Sequence, residues 1–346
     1  MAPWAIACLP RLPPTHPLQN TVSLRARFLA PLTVLSFSVA AFAAVDVAEK
    51  ADRVRIEIDG QLFTEFVFKG APHVYYWPVI GPGGVKMTRS WPMEEAPGED
   101  HDHPHHRSMW FSHGLVNGMD FWGEDISYKG TPKFPVGKIV HDKILSAKGG
   151  AASGEIVAAQ RWTAPDGAVP LTSVQTLRVY QRPASERLFD FEIVLKAGDK
   201  DVVLGDTKEG SFGIRIAESM RLVQPKKQPG AGHILNSGGA KDGEAWGQRA
   251  KWVEMSGPVD GKTFGIAIFD HPSNLRHPTR WHARDYGLFA ANPFAEHEMD
   301  KTQPQKAGDY TIKAGESLTL KYRVWIHEGA ADAAKLGEQF SAFAKP

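Results

Sequence analysis

The chain has little cysteine and almost no net charge, and both absences narrow the classes of protein to which it can belong. Its 346 residues include one cysteine, Cys8. A disulfide within the chain needs two cysteines, so the fold must be stabilised by the burial of apolar side chains. With 40 Lys and Arg against 39 Asp and Glu, the formal net charge is +1. The composition therefore gives no reason to expect binding to nucleic acid or to an anionic membrane surface.

Long apolar runs are also absent after residue 43. One run, residues 28–40, follows Arg25 and Arg27 and precedes Ala41-Phe42-Ala43. A positive flank, a short apolar core and a small-residue site are typical of a secretory signal peptide. The run is shorter than the roughly 20 apolar residues of a membrane span. We therefore expect a signal peptide over residues 1–43, cleaved near Ala43, and a periplasmic or secreted mature chain without a membrane span.

Two further expectations concern domain organisation. The residues before Arg25 match neither a signal peptide nor a domain, which is consistent with a mis-assigned start. Residues 44–346 contain no internal repeat and no long charged or Ser/Gly-rich linker. We expect them to form a single domain, because their length is ample for one full hydrophobic core.

Period-two alternation is the main secondary-structure pattern. Apolar residues alternate with polar or small residues over 54–58, 189–195, 212–216 and 318–326. Asp59-Gly60 supplies the residue types of a tight hairpin turn directly after the first of these segments. One buried face and one wet face are typical of antiparallel sheets.

The pattern predicts an all-β fold, a large antiparallel β-sandwich of the super-sandwich or jelly-roll kind, because two-faced sheets bury their apolar sides on each other. Only residues 329–344 show helical spacing, which predicts a short C-terminal helix. Residues 70–135 and 270–300 are rich in Pro, Gly, His and Trp, and we expect long loops there.

The densest cluster of reactive side chains lies in residues 101–113, which contain five of the 14 histidines. A metal-free proton-transfer site is one interpretation, since histidine titrates near neutral pH. Its predicted catalytic residues are His103, His105, His106 and His113. A solvated loop and a structural hydrogen-bonded cluster are two other interpretations of this segment.

A metal site is the further alternative. On a strand, His101, His103 and His105 would share one face. Imidazoles with nearby carboxylates can hold Zn or Fe, so these three residues are the predicted ligands under this alternative.

Two other segments could complete the site. Glu209 precedes a predicted strand, and it would be the base if the sheet places it under the histidines; a solvated turn is the other interpretation. Residues 269–294 mix aromatic and polar side chains, as a sugar-binding site requires, although a loop pinned by buried aromatics has the same composition. Guanidinium groups offer paired donors to a carboxylate or an oxyanion. The predicted substrate-binding residues are Arg107, Arg215, His271, Asn274, Trp281, His282, Arg284 and Asn292.

Several motifs resemble those of a bacterial family labelled methane oxygenase PmoA, over roughly residues 50–330. The motifs are Tyr75-Tyr76-Trp77-Pro78, Gly81-Pro82-Gly83-Gly84, the segments 103–111 and 117–122, Lys208-Glu209-Gly210, Phe269-Asp270-His271-Pro272, the segment 281–287 and Asn292-Pro293-Phe294. That family has no known function, and the resemblance implies a secreted β protein of a kind commonly found among sugar-catabolic enzymes. The combination of His, Glu and Arg on a β-sandwich is also similar, in fold and residue type only, to mutarotase-like proteins, which implies a histidine acid and a glutamate base.

The function expected from the sequence is an exported carbohydrate-active enzyme that performs His/Glu acid–base chemistry without a cofactor. The reaction would be of epimerase, lyase or hydrolase type, on a small carbohydrate-like substrate. One alternative is a metal-dependent oxygenase or hydrolase that uses Fe or Zn. The other is a non-catalytic glycan-binding protein.

Overall fold

A computed structural model describes residues 44–345, and the predicted signal peptide lies outside these residues. The elements in chain order are β1 (Val45–Glu49), β2 (Arg53–Ile58), β3 (Gln61–Val67), β4 (Tyr75–Tyr76), β5 (Met109–His113), β6 (Lys138–Lys148), β7 (Ser153–Thr163), β8 (Leu171–Tyr180), β9 (Glu186–Ala197), β10 (Val202–Leu204), β11 (Gly210–Arg215), β12 (Val223–Gln224), β13 (Gln228–Pro229), β14 (His233–Asn236), β15 (Trp252–Val259), β16 (Lys262–Asp270), β17 (Arg280–Ala283), β18 (Leu288–Asn292), α1 (Glu296–Met299), β19 (Tyr310–Ile312), β20 (Ser317–Glu328) and α2 (Ala333–Phe343).

Two eight-stranded antiparallel sheets contain most of these strands. The first sheet has the order β1-β2-β3-β4-β5-β11-β18-β17, and the second has the order β14-β15-β16-β20-β9-β8-β7-β6. Short antiparallel pairs form between β10 and β19 and between β12 and β13. The predicted all-β antiparallel sandwich with a short C-terminal helix is confirmed.

Apolar side chains from the two sheets meet in one core. On the first sheet, alternate residues of β2, including Val54 and Ile56, are fully buried, as their period-two spacing predicts. At the centre, the ring of Phe212 on β11 stacks on Phe191 of β9 at 4.6 Å and on Tyr322 of β20 at 5.1 Å. Such offset aromatic pairs add to the free energy gained by burial, so this stack holds the sheets together at their middle.

Helix α2 covers part of the outer face of the second sheet. Its first turn is capped by Asp332, whose side chain accepts a hydrogen bond from the backbone N–H of Lys335 at 2.8 Å. Leu336 and Phe343 bury their side chains in a cluster with Trp325 of β20. None of the helices in residues 44–345 is both long and apolar enough for a transmembrane segment.

The outer face of the first sheet is covered as well, which the alternation did not predict. Every residue of β5, β11, β17 and β18 is buried. Three of these strands lie in the segments 70–135 and 270–300, where the sequence predicted long loops, so that prediction is wrong for them. A strand buried on both faces needs no polar face, so β5, β17 and β18 show no alternation, whereas β11 keeps its alternating pattern although Arg215 is buried.

Replacing Phe212 with alanine should lower the free energy of unfolding by about 3–5 kcal/mol, because the change opens a cavity between the sheets. Leu145→Ala is the control, since Leu145 is 48% exposed and its truncation should cost less than about 0.5 kcal/mol. Urea denaturation followed by tryptophan fluorescence measures both changes. Equal effects of the two substitutions would show that the stack does not hold the sheets together.

Candidate functional site

A cavity of about 550 Å³ lies where the covering loops meet the first sheet, and we call it the histidine cavity. Its walls come from four segments that are far apart in the sequence, around residues 103–105, 114–134, 207–209 and 282–286. The structure thereby brings five predicted site residues together: His103, His105, Glu209, His282 and Arg284.

Glu209 is held at the cavity by its backbone. It directly precedes β11, and its carbonyl oxygen accepts a hydrogen bond from the N–H of Gly114 at 2.7 Å. A Cβ atom at position 114 would lie 2.7 Å from the Cβ of Glu209, so only glycine allows this approach. The Asn292 side chain donates to the carbonyls of Thr207 and Lys208, at 2.9 and 3.2 Å. Asn292 therefore positions the loop that carries Glu209 and is not itself in the cavity wall.

The carboxyl group of Glu209 is suited to proton transfer. Its side chain is 38% exposed, and Lys208 Nζ lies 3.6 Å from Oε1. Burial raises the pKa of Glu209, although the positive charges of Lys208 and His103 act in the opposite direction. A carboxyl group with a raised pKa can exchange a proton more readily near neutral pH than an ordinary glutamate can.

His282 reaches the cavity from β17. Its neighbours Trp281 and Ala283 belong to the core, so His282 lies on the opposite, outer face of the strand. His282 Nδ1 lies 2.9 Å from the carbonyl oxygen of Lys208, which can only accept a hydrogen bond. Nδ1 therefore carries the proton. Burial, followed by the charge of Arg284, lowers the pKa of His282 to about 3, so the ring is neutral at pH 7 and Nε2 is an acceptor.

His105 is a second neutral imidazole of the cavity wall. Its Nδ1 lies 2.8 Å from the hydroxyl oxygen of Ser127. Burial, followed by the charge of His103, lowers the pKa of His105 to about 3. Two neutral imidazoles in one cavity can accept or share hydrogen bonds with ligand hydroxyl groups.

His103 differs from these two because it faces a carboxylate. Its Nδ1 lies 2.8 Å from Oδ2 of Asp102, and its ring is parallel to those of His106 and Tyr286, with centroids 4.7 and 5.0 Å away. These contacts fix the plane of the ring. Among the three imidazoles of the cavity wall, His103 is the one that contacts a carboxylate.

Asp102 links the histidine loop to the sheet through two buried arginines. Oδ1 of Asp102 accepts hydrogen bonds from Arg89 and, at 2.9 Å, from Arg215. Neither guanidinium group is exposed to solvent. Burial, followed by the charge of Arg215, lowers the pKa of Arg89 to about 10. Burial opposes the ionisation of Asp102, but His103, Arg215 and Arg89 outweigh it and hold its pKa far below the usual range.

His106 and Arg215 lie behind the cavity wall, so their predicted roles in direct contact with substrate are corrected. His106 is 1% exposed and stacks on Trp110 at 5.2 Å. Its Nδ1 lies 3.3 Å from Nη1 of Arg215, and it must be the acceptor because a guanidinium group only donates. Burial, followed by the charges of His105 and Arg215, keeps the pKa of His106 well below its usual value. His106 packs against the ring of His103, and Arg215 holds the carboxylate of Asp102 that contacts His103.

Three more predicted residues have their polar groups occupied elsewhere. Arg107 donates two hydrogen bonds to the buried carboxylate of Glu124, at 2.7 and 2.8 Å. His113 lies on the core side of β5 and its Nε2 is 2.9 Å from the carbonyl of Gly205. Trp281 is fully buried in the core and donates to the carbonyl of Ala250. None of these three residues lines the histidine cavity, so the structure does not bring them together with the other predicted site residues.

His271 and Asn274 lie at another part of the fold. The ring of His271 contacts Phe343 of α2 at 4.9 Å and lines a separate cavity. Asn274 is buried, and its amide donates to Asp270 and to the carbonyl of Lys321. Asn274 thus ties a turn to β20, and neither of the two residues lines the histidine cavity.

The alternative metal ligands are not assembled in the described part of the chain. His101 stacks on Trp91 at 4.9 Å and its Nε2 lies 3.1 Å from Glu95, whereas His103 pairs with Asp102. Across residues 44–345 no group of three His, Cys, Asp or Glu side chains has an arrangement that could hold a metal ion. The expectation that the protein uses no cofactor, and the alternative that it uses Fe or Zn, both stay predictions.

Several residues of the cavity were not predicted as site residues. Asp120 accepts hydrogen bonds from the backbone of Trp122 at 2.7 Å and from the hydroxyl of Tyr128. Tyr286 stacks on His103, and Lys208 contacts Glu209. Each of these residues except Tyr128 lies in one of the motifs that resemble the PmoA-labelled family. Membership of those motifs could therefore have identified them as site residues. Arg89 had no such signal.

Together, the sandwich and the histidine cavity define a β-sheet protein with one polar, imidazole-rich site between its covering loops. The family model described as a family of unknown function, DUF6807, matches residues 53–341, and the chain belongs to that family. Comparison with curated proteins finds no match. The resemblances to proteins labelled PmoA and to mutarotase-like proteins stay predictions.

Asp102→Asn should lower the free energy of unfolding by about 3 kcal/mol at pH 7, since it removes the carboxylate that two buried guanidinium groups contact most closely and leaves them the more distant Glu218. The pKa of Asp102 is lowered in the folded state, so its stabilising effect is complete above the unfolded value of about 3.9 and declines below it. The difference in the free energy of unfolding between wild type and variant should therefore be constant from about pH 5 to 8 and should become smaller below about pH 4. Urea titrations across this range measure it.

Asp142→Asn is the matched control, because Asp142 pairs with Arg161 at 3.2 Å on the exposed surface. Its effect should stay below about 1 kcal/mol, as for other exposed ion pairs. A loss of unfolding free energy below about 1 kcal/mol for Asp102→Asn, or a loss that grows as the pH falls, would contradict the role of Asp102 in holding the histidine loop to the sheet.

Proposed function

We propose that the chain is a carbohydrate-active enzyme that performs acid–base chemistry on a small sugar or modified glycoside in the histidine cavity. The observation that carries this proposal is that Glu209 and three imidazoles from distant segments line one cavity. Its volume of about 550 Å³ lies in the range of about 300–1,000 Å³ that is usual for small-molecule sites. The reaction would be of epimerase, lyase or hydrolase type.

The proposed roles follow from the ionisation of each group. Glu209, whose pKa is raised by burial, is the proposed base. His103, held by Asp102, is the proposed acid that returns a proton to the substrate or leaving group. His105 and His282 are neutral and would hold ligand hydroxyl groups by hydrogen bonds. Two proton-transfer groups with different environments in one cavity are what acid–base catalysis requires.

Aromatic side chains in the wall support a sugar as the ligand. Trp122, Tyr128, Phe134 and Tyr286 line the cavity beside the polar groups. Aromatic faces can cover the C–H surfaces of a sugar ring, while imidazole and carboxylate groups meet its hydroxyls. Export to the periplasm or the medium remains part of the proposal, and it rests on the signal-like pattern of residues 1–43.

Glu209→Gln should lower turnover by a factor of about 10²–10⁴, because the amide cannot accept a proton from the substrate. Products from a panel of methyl glycosides, uronides and disaccharides, detected by NMR and mass spectrometry, identify the substrate and measure the rate. His103→Gln should cause a loss of similar size.

The chain offers a close control for this test. Glu192 is 41% exposed and lies 3.4 Å from Lys321 on the second sheet, much as Glu209 is 38% exposed and lies 3.6 Å from Lys208. Glu192→Gln should keep wild-type turnover. If Glu209→Gln keeps it too, Glu209 is not the base. Saturable glycan binding without any product would instead favour the non-catalytic glycan-binding alternative.

The metal-dependent alternative makes a different prediction for the purified protein. On the metal-independent proposal, protein prepared without a histidine tag should contain no stoichiometric Fe or Zn by elemental analysis. Structural and catalytic sites for these metals use imidazole and carboxylate ligands, so a bound metal should disappear in the double variant His103→Ala/His105→Ala. Stoichiometric metal that is lost in this variant would replace the acid–base proposal with a metal-dependent oxygenase or hydrolase.

A further inference from the structure

We propose that Arg284, with Lys208 beside the same cavity, forms a subsite for an anionic substituent, so that the substrate is an acidic sugar. This inference rests on the proposed function, since it places the substituent in the histidine cavity. The shared chemistry is a sugar that carries a carboxylate or a sulfate ester, and a carboxylate matches the planar guanidinium group best.

Arg284 is held in place by aromatic rings rather than by a counter-ion. Its guanidinium carbon lies 5.3 Å from the ring centre of Tyr286 and 5.8 Å from that of Trp246. Within residues 44–345, no carboxylate lies within ion-pair distance of Arg284, although Arg284 lines the cavity. Stacking on aromatic faces orients the group and leaves its N–H donors available in the plane of the guanidinium.

The other arginines around the site are all paired. Arg107 pairs with Glu124, Arg89 and Arg215 pair with Asp102, and Arg221 pairs with Glu218. Half-buried or buried arginines are usually paired in this way, because the removal of a charge from water is costly. Arg284 is half-buried, faces the cavity and has no carboxylate as an ion-pair partner within residues 44–345. This indicates that its partner comes from outside the chain.

The charges of the cavity wall favour the same ligand. Asp120 is occupied, because its oxygens accept hydrogen bonds from Trp122, Gly123 and Tyr128. Glu209 is then the one carboxylate of the wall that is open to a ligand, and it faces the cation of Lys208 at 3.6 Å. Arg284 adds a second cation. With Asp120 hydrogen-bonded to its own loop and Glu209 beside Lys208, Arg284 is the cation of the wall with which one anionic substituent would pair, and such a pair raises affinity in a partly water-excluded site.

Position along the sheet separates Arg284 from the proposed base. Arg284 follows β17, whereas Glu209 and Lys208 precede β11, which lies two strands away in the sheet order. His282 lies next to Arg284 and is neutral at pH 7. A substrate with its anionic group at Arg284 would therefore place its ring over His282 and present its other carbons toward Glu209.

The test compares sugar ligands with and without an anionic group. Isothermal titration calorimetry would measure the binding of methyl β-D-glucuronide, methyl β-D-glucoside and D-glucose 6-sulfate to the wild-type chain and to Arg284→Gln. The wild type should bind the glucuronide at least about tenfold more tightly than the glucoside, as one charge-assisted hydrogen-bonded pair predicts. Arg284→Gln should lose that preference, and Arg284→Lys should keep part of it.

Arg161→Gln, on the exposed surface of the second sheet, is the control and should keep the full preference. Tighter binding of the sulfate ester than of the glucuronide, with the same dependence on Arg284, would support the anionic subsite and identify the anion as sulfate. Equal affinity for charged and neutral sugars, no saturable binding of any of the three, or a preference that survives Arg284→Gln would overturn it. The turnover of Glu209→Gln is a separate measurement, so failure of the subsite and failure of the acid–base proposal can be told apart.

Discussion

The pairing of Asp102 with two buried guanidinium groups is the interaction on which the rest of the site depends. Arg89 and Arg215 repel each other and have no access to water, and Asp102 is the carboxylate closest to both, with Glu218 farther away at 4.0 and 3.5 Å. The same carboxylate of Asp102 contacts Nδ1 of His103. One side chain thus contacts both cations under the loop, ties the loop to β11 and orients the imidazole above it.

Around this anchor the molecule is built as three layers rather than two. The two sheets enclose the aromatic core, and the covering loops form a third layer on the first sheet, where Trp122 of the loops packs with Trp110 of β5 beside the polar network. Strands β5, β11 and β18 are central strands, and each has a neighbouring strand on both sides. A polar site in this position therefore has a rigid floor. Side chains on such elements are positioned more closely than side chains on free loops.

The sequence was informative wherever one face of a strand meets water. Strands β2, β9 and β20 and the helix α2 follow their predicted periodicity, and the antiparallel sandwich follows from them. Strands β5, β17 and β18 did not follow it, because burial of both faces removes the polar half of the pattern. The site could be predicted only in part. Residue type alone identified the histidine loop and Glu209. Which of His282 and Trp281 faces the cavity, and which faces the core, depends instead on the direction of each side chain. That direction depends on strand register, which no local pattern in residues 270–300 specified.

The position of β11 has a consequence for how the protein can be divided. This strand lies between β5, about a hundred residues earlier, and β18, about eighty residues later, and each of the three contributes to the floor of the cavity or to the loops above it. No contiguous fragment shorter than most of the chain can contain the whole site. Contacts between such distant segments form late in folding, since closing long loops is slow. During synthesis, the cavity can therefore assemble only after β18, which ends at Asn292, has left the ribosome.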